Sequence, residues 1–229
     1  MKAPDQQIHN LRDALAAELL QRDAVKINLD SPFLLTSGNY SPIYINCRQL
    51  ISSRSTVRLI VAAATLELQS SRCTFDLVAG GESAGIPFAA FLADAFDRPM
   101  IYVRKAARTH GLESRIEGVL PVNSRVLLVE DLITDGKSKL SFVSGIRECG
   151  GAVDDAIVIL DRMQGGAELL REKGVRLISL TNIDVVLRVA TEWQLMPSSA
   201  IESVRSYLNS PADWHAAQGL PYLQAREQQ

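Results

Sequence analysis

Residues 126–129 are four consecutive aliphatic side chains, Val126-Leu127-Leu128-Val129, followed without a spacer by two acids, Glu130 and Asp131. A strand that is apolar at every position, not every second one, must be covered on both faces, which places it inside a parallel sheet flanked by helices. The run 125–129 is joined by similar runs at 75–79, 100–103, 156–160 and 175–180, with helical stretches at 86–96, 137–149 and 167–173 between most of them. This alternation predicts a doubly wound α/β fold. Gly150-Gly151 and Gly174 stand where helix C-termini need a left-handed residue. Two amphipathic helices are expected upstream. One carries Ile8, Leu11, Leu15 and Leu19 and can be capped by Asp5; the other carries Val57, Ile60, Val61, Ala64 and Leu68.

In open parallel sheets ligands bind outside the carboxyl ends of the strands, so the residues after each apolar run are the informative ones. After 126–129 come the two acids and then Thr134-Asp135-Gly136-Lys137-Ser138, leading into a helix. Gly136 allows a close or left-handed backbone, and the free N–H groups of the next turn form an anion socket that the hydroxyls of Thr134 and Ser138 complete. The adjacent acids suit a vicinal diol or a diol-bound Mg²⁺. Other phosphate loops do not fit: there is no GxxxxGK[ST], and Gly80-Gly81 with Gly85 lacks the GxGxxG spacing. The stretch 104–124 is polar, carries four Arg or Lys and has no apolar period, which inside a compact domain marks a functional loop.

Composition narrows the ligand. Lys and Arg number 24 against 26 Asp and Glu, and aromatics are 6%, so a general nucleic-acid backbone binder is not expected; a small phosphorylated ligand needs only a local cation cluster. The three cysteines, Cys47, Cys73 and Cys149, lack any zinc-ligand spacing. With no apolar signal core at the N-terminus and no run long enough to span a bilayer, a soluble cytoplasmic protein without a membrane partner is expected.

Taken together these segments resemble the type I phosphoribosyltransferases, whose phosphoribosyl-pyrophosphate signature is an apolar strand, two acids and a T-x-G-x-S/T loop, as in Val126 to Ser138. Five further segments make the chain similar to the orotate phosphoribosyltransferase family: Phe33-Leu34-Leu35-Thr36-Ser37-Gly38 with Ser41-Pro42-Ile43-Tyr44-Ile45-Asn46-Cys47-Arg48; GGESAGIP at 80–87; Arg104-Lys105 with His110-Gly111; Ile116-Glu117-Gly118; and Leu160-Asp161-Arg162. In order and spacing they cover roughly residues 33–162.

The resemblance implies a type I phosphoribosyltransferase fold in one domain. Its core would span about 51–181 as a mainly parallel central sheet flanked by helices, with a small hood from about 1–50 and 182–229 anchored by Trp193 and Trp214. It implies transfer of a phosphoribosyl group to orotate, giving orotidine 5′-monophosphate and pyrophosphate in pyrimidine biosynthesis, with Mg²⁺ as cofactor. By carry-over, Glu130, Asp131, Leu132, Ile133, Thr134, Asp135, Gly136, Lys137 and Ser138 bind phosphoribosyl pyrophosphate, and Gly81, Glu82, Ser83 and Ala84 form its pyrophosphate loop. Tyr44, Ile45, Thr134 and Arg162 hold orotate; Arg104, Lys105, Arg108, His110 and Asp131 serve catalysis. The Mg²⁺ is held mainly by substrate, with Glu130 and Asp131 as the protein's candidates. A homodimer is implied, with the mobile loop shared across subunits. His9 and His215 are read as structural or surface residues.

The chain departs from the family at Thr36, where a lysine is common, at Ser83-Ala84, where Tyr-Lys occurs, at Arg108, which replaces the loop lysine, and at Lys137, often a small residue. These substitutions keep two alternatives open: a phosphoribosyltransferase for another base, and a non-catalytic nucleotide-binding regulator on the same fold.

Overall fold

Which face of each element is apolar decides the layers. The structure is a computed structural model that describes residues 3–35, 37–106 and 115–223. The chain begins with α1 (Ala3–Gln21), whose Leu15, Ala16 and Leu19 are fully buried. Two small antiparallel pairs follow, β1 (Val25–Ile27) with β4 (Ile43–Ile45) and β2 (Phe33–Leu34) with β3 (Tyr40–Ser41). A 3-10 helix, Cys47–Ser52, leads to α2 (Arg54–Ser70), which is capped by the Ser53 hydroxyl accepting from the Thr56 N–H. The remaining elements are β5 (Leu77–Gly81), α3 (Gly85–Phe96), β6 (Met100–Val103), β7 (Ile116–Glu117), β8 (Arg125–Ile133), α4 (Lys137–Glu148), β9 (Ala152–Asp161), α5 (Gly166–Glu172) and β10 (Arg176–Asn182). Three helices close the chain: α6 (Ile183–Glu192), α7 (Ser198–Asn209) and α8 (Pro211–Ala217).

The main sheet has the order β10-β9-β8-β5-β6-β7, parallel throughout except for the β6–β7 pair. In β8 the aliphatic run divides as its period demands. Leu127 and Val129 join a core with Leu15, Ile60, Phe88 and Val186 from α1, α2, α3 and α6; Val126 and Leu128 join a second core with Phe142 and Leu170 from α4 and α5. The doubly wound α/β class expected from the sequence is thus the observed one. Among the described residues no helix is long and apolar enough to cross a membrane.

Three differences from the sequence expectation have physical causes. Strand β8 runs four residues past Val129, because β9 continues to pair with it as far as Ile133 opposite Asp161. Inside the polar 104–124 stretch, β7 pairs with β6; a two-residue edge strand needs no apolar period to form. Of the two tryptophans expected as anchors, Trp214 is buried with its indole N–H donating to Ser203 Oγ (2.9 Å), whereas Trp193, at the end of α6, is 44% exposed.

The C-terminal helices fasten onto the β2–β3 hairpin. His215 is fully buried, with Nδ1 2.6 Å from the Pro211 carbonyl and Nε2 accepting the Tyr40 N–H at 3.1 Å. A carbonyl can only accept, so the proton sits on Nδ1. Asn39 and Leu223 exchange two hydrogen bonds beside it, at 2.8 and 2.7 Å.

The cysteines are all free thiols with three different environments. Cys47 is buried, which pushes its pKa up; Cys73 donates to Asp155 at 3.0 Å and, with burial as the larger cause, is pushed up to about 12; Cys149 is exposed. A thiol-reactive dye should therefore label Cys149 rapidly in the native protein, and Cys47 and Cys73 only after unfolding. Rapid native labelling of Cys47 would contradict this packing.

Candidate active site

The carboxyl ends of β5, β6, β8 and β9 carry most of the residues singled out from the sequence. After β8, residues 134–136 turn the chain into α4, with Gly136 in the left-handed region at φ 79°. The Lys137 N–H donates to Asp135 Oδ1 (3.1 Å), but no side chain caps α4, so its first turn offers N–H groups outward. Thr134 is half-buried, while Asp135, Lys137 and Ser138 are exposed. The Lys137 ammonium lies 3.9 Å from Asp135.

Arg162 follows β9 directly, and its N–H donates to the Ile133 carbonyl at 3.0 Å, which sets it beside the 134–138 turn. Gly166 fills the gap between them: a methyl added there would lie 2.6 Å from the Thr134 carbonyl, and one at Gly136 would lie 3.0 Å from the Gly166 carbonyl. The phosphate-type turn and the candidate carboxylate grip thus share one edge of the sheet. Arg162 Nε and Nη2 are buried without a hydrogen-bond partner, and among the described residues no carboxylate is in ion-pair range. Burial lowers its pKa, while the nearby Tyr207 hydroxyl opposes that shift. Asp161 instead accepts from the Met163 N–H (2.7 Å), and burial raises its pKa.

Glu130 and Asp131 are consecutive on β8 and leave it on opposite sides. Glu130 faces α4, where Oε2 is 2.6 Å from the Lys139 ammonium; both residues are buried, with 4% and 8% exposure. Burial raises the Glu130 pKa, and Lys139 pulls it back. Asp131 accepts its neighbour Leu132 N–H at 2.8 Å, and its charge adds to burial in raising the Cys47 pKa. Leu132 packs into the first core and Ile133 into the second. Among the described residues there is no cluster of three or more His, Cys, Asp or Glu side chains able to hold a metal ion.

The glycine-rich turn after β5 sits directly over Glu130. A methyl at Gly81 or at Gly85 would overlap Glu130 Oε1. The Glu82 N–H donates to the Val103 carbonyl (2.9 Å), its carboxylate accepts the Lys105 N–H (2.9 Å), and the Glu82–Ser83 peptide bond is cis. Ser83 is exposed and Ala84 half-buried, with no side chain capping α3 behind them. At the base of the polar loop the Arg104 N–H donates to the Arg115 carbonyl (2.8 Å), and the Arg104 guanidinium is 3.5 Å from Glu117. The Arg115 guanidinium donates back to the Arg104 carbonyl, at 3.1 and 3.0 Å. Arg108 and His110, like Thr36, lie outside the described residues.

Tyr44 and Ile45 are separated by the strand period. Ile45 packs against the first core, while Tyr44, 38% exposed, has its ring 5.6 Å from that of Phe33. Tyr44 helps to line a cavity of about 300 Å³ with Lys26, Asn46 and Gln49, to which neither Arg162 nor the 134–138 turn contributes.

Lys139 escaped the sequence analysis. It stands three and four residues before Phe142 and Val143, on the buried face of α4, and a lysine in an apolar register was the available signal.

The family model for the phosphoribosyl transferase domain matches residues 55–189. An orotate phosphoribosyltransferase of Rhizobium meliloti (strain 1021) is 41% identical over 214 residues, covering 91% of this chain and 92% of its own. Among solved structures, orotate phosphoribosyltransferase from Aeropyrum pernix is 32% identical with a TM-score of 0.65, covering 76% of this chain and 97% of that one. The Mycobacterium tuberculosis H37Rv enzyme of the same name, in complex with 5-phospho-α-D-ribosyl 1-diphosphate, is 27% identical with a TM-score of 0.61, covering 77% and 98%.

The crowding over Glu130 yields a prediction. Gly85→Ala places a methyl against both Glu130 Oε1 and the Val129 carbonyl, and backbone cannot step aside as a flexible side chain can. The substitution should destabilise the protein by about 1–3 kcal/mol, the usual cost of overpacking. Urea unfolding of the two proteins measures it, and equal midpoints would contradict the geometry.

Proposed function

The chain belongs to the orotate phosphoribosyltransferases of the phosphoribosyltransferase family, and from that premise we propose that it joins orotate to the ribose C1 of phosphoribosyl pyrophosphate, with the following division of labour. The observation carrying the assignment of orotate is Arg162, a half-buried arginine whose Nε and Nη2 are enclosed without a hydrogen-bond partner beside a phosphate-type turn. Leaving such a charge unpaired is unfavourable unless a ligand completes it, and a planar carboxylate accepts two parallel hydrogen bonds from a guanidinium. A neutral purine has no carboxylate and would leave the guanidinium's charge uncompensated.

In this reading Thr134 to Ser138 and the first-turn N–H groups of α4 hold the 5′-phosphate, Asp131 accepts from the ribose hydroxyls, and residues 81–84 face the pyrophosphate. The bond from C1 to the pyrophosphate oxygen breaks ahead of the new bond to the orotate nitrogen, its electron pair leaves with the pyrophosphate, and the proton that this nitrogen carried is released to solvent or to the departing pyrophosphate. Positive charge then builds on the ribose and negative charge on the leaving group. Catalysis is therefore mostly positioning and electrostatic stabilisation. Arg104 and Lys105 at the loop base, with Arg108 and His110 beyond it, supply cations and donors for the departing charge, and loop closure excludes water.

Mg²⁺ belongs to the proposal as a substrate-borne ion that neutralises pyrophosphate charge; with Glu130 Oε2 engaged by Lys139, Asp131 is the carboxylate on the protein that fits it. Tyr44 and Ile45 are retained as the residues nearest the orotate ring in the family pattern. The proposal includes a homodimer whose loops cover each other's sites, and a hood formed by the terminal segments. The His215–Tyr40 and Asn39–Leu223 bonds, which tie the chain's end to the β2–β3 hairpin, support the hood.

A spectrophotometric assay of orotate consumption with phosphoribosyl pyrophosphate and Mg²⁺ tests the reaction. Arg162→Ala should raise KM for orotate by roughly 10- to 150-fold, the worth of hydrogen bonds to a charged group, with KM for phosphoribosyl pyrophosphate changed by less than about threefold. Equal losses for both substrates would remove the reason for assigning orotate.

A further inference from the structure

Two of the three guanidinium nitrogens of Arg162, Nε and Nη2, are enclosed without a partner. Their N–H bonds leave one edge of the planar group side by side, the arrangement that a carboxylate meets with both its oxygens. A long side chain at a strand end turns about several bonds. Presenting that edge to a ligand therefore takes a second contact that fixes the plane.

The structure offers that contact from α7. Ala200, Ile201, Val204 and Tyr207 are buried at three- and four-residue spacing and form the inward face of the helix. Tyr207 stands apart, because it carries a hydroxyl into an apolar stripe and a buried tyrosine hydroxyl needs a polar partner. Its ring meets Trp214 edge-on, with centroids 5.3 Å apart, and the indole N–H of Trp214 donates to Ser203 Oγ on α7 itself at 2.9 Å. One residue beyond Tyr207, the Leu208 carbonyl accepts from Gln164 Nε2 at the long distance of 3.5 Å, so the loop that starts at Arg162 is tied to α7 at this point. The Tyr207 hydroxyl lies beside the Arg162 guanidinium and opposes the loss of charge that burial favours.

We propose that Tyr207 is a positioning residue for orotate: its hydroxyl oxygen accepts from the Arg162 guanidinium and fixes the plane in which Nε and Nη2 present their N–H groups. The inference rests on the assignment of orotate to Arg162 and extends it to α7. A tyrosine that served the core alone would need its ring and not its oxygen. Tyr207→Phe separates the two roles, because it removes the oxygen and keeps the ring against Trp214. The experiment measures steady-state kinetics for the unmodified protein, Tyr207→Phe, Arg162→Ala and the double variant Arg162→Ala/Tyr207→Phe, with far-UV circular dichroism on each.

Tyr207→Phe should raise KM for orotate about five- to tenfold, with kcat and KM for phosphoribosyl pyrophosphate within about twofold and the far-UV signal unchanged. Once Arg162 is alanine the hydroxyl has nothing left to orient, so the same exchange should then change kcat/KM for orotate by less than about twofold. The rate at low orotate gives that ratio even where saturation is out of reach. An unchanged KM for orotate in Tyr207→Phe overturns the positioning role, as does a loss of the same size in the Arg162→Ala background. Parallel rises in both KM values, or a collapsed far-UV signal in Tyr207→Phe, overturn it too, since the hydroxyl would then serve the fold. An unmodified protein that consumes no orotate would instead overturn the functional reading itself, and this inference with it.

Discussion

Everything at the active edge depends on how far β8 and β9 stay paired. They pair in parallel from Arg125 opposite Ala152, with one register shift before Leu127, to Ile133 opposite Asp161, so both strands end together. The Arg162 N–H then bonds to the Ile133 carbonyl, and the two loops leave the sheet side by side. Parallel strands cannot be joined by a tight hairpin, so β5, β8, β9 and β10 each lead into a helix at this end, while β6 leads through the polar loop to the antiparallel β7. The 81–85 turn, the 134–138 turn and the Arg162–Gly166 segment are three of the strand-to-helix loops. At two of them a helix of twelve residues, α3 or α4, begins with no side chain capping it. Uncapped N-termini present N–H groups and the positive end of the helix dipole, which suits the two charged ends of one anionic ligand.

Close approach of these loops fixes where glycine is required. Gly81 and Gly85 leave space for the Glu130 carboxylate, and Gly136 and Gly166 leave space for each other's backbone. The site is therefore built by backbone contact between neighbouring loops, with side chains added where a charge is needed. Hydrogen bonds also tie the turn after β5 to the base of the polar loop: Glu82 accepts the Lys105 N–H, and Arg104 and Arg115 bond across the loop base.

Much of this was legible in the sequence because it follows from periodicity. The unbroken run at 126–129 required a two-faced sheet, and residues after apolar runs were expected at the ligand edge, where Thr134 to Ser138 and Arg162 stand. Three features were not legible. Strand ends depend on the partner strand, so pairing through Ile133 was invisible from β8 alone. The adjacent acids gave no sign that Glu130 Oε2 meets the Lys139 ammonium of α4. The strand period divides Tyr44 from Ile45, which a linear motif lists as neighbours. Lys139 was hidden because helical patterns are read for apolar residues, and a lysine among them is easily taken as solvated.

The two buried cations near the edge are treated in opposite ways, and the contrast carries functional meaning. Lys139 has its counterion at 2.6 Å and is closed off by α4, Phe142 and the glycine turn. Arg162 has buried N–H groups that no carboxylate meets among the described residues, with only the Tyr207 hydroxyl supporting its charge. The difference lies in whether the fold itself supplies the anion. Where the protein supplies it, as Glu130 does, the pair serves the architecture. Where it does not, the anion has to arrive from solution, and the stability forgone in the empty site becomes affinity for a carboxylate of the right shape. In the proposed reading, a fold that satisfied Arg162 internally would lose the group with which it selects orotate.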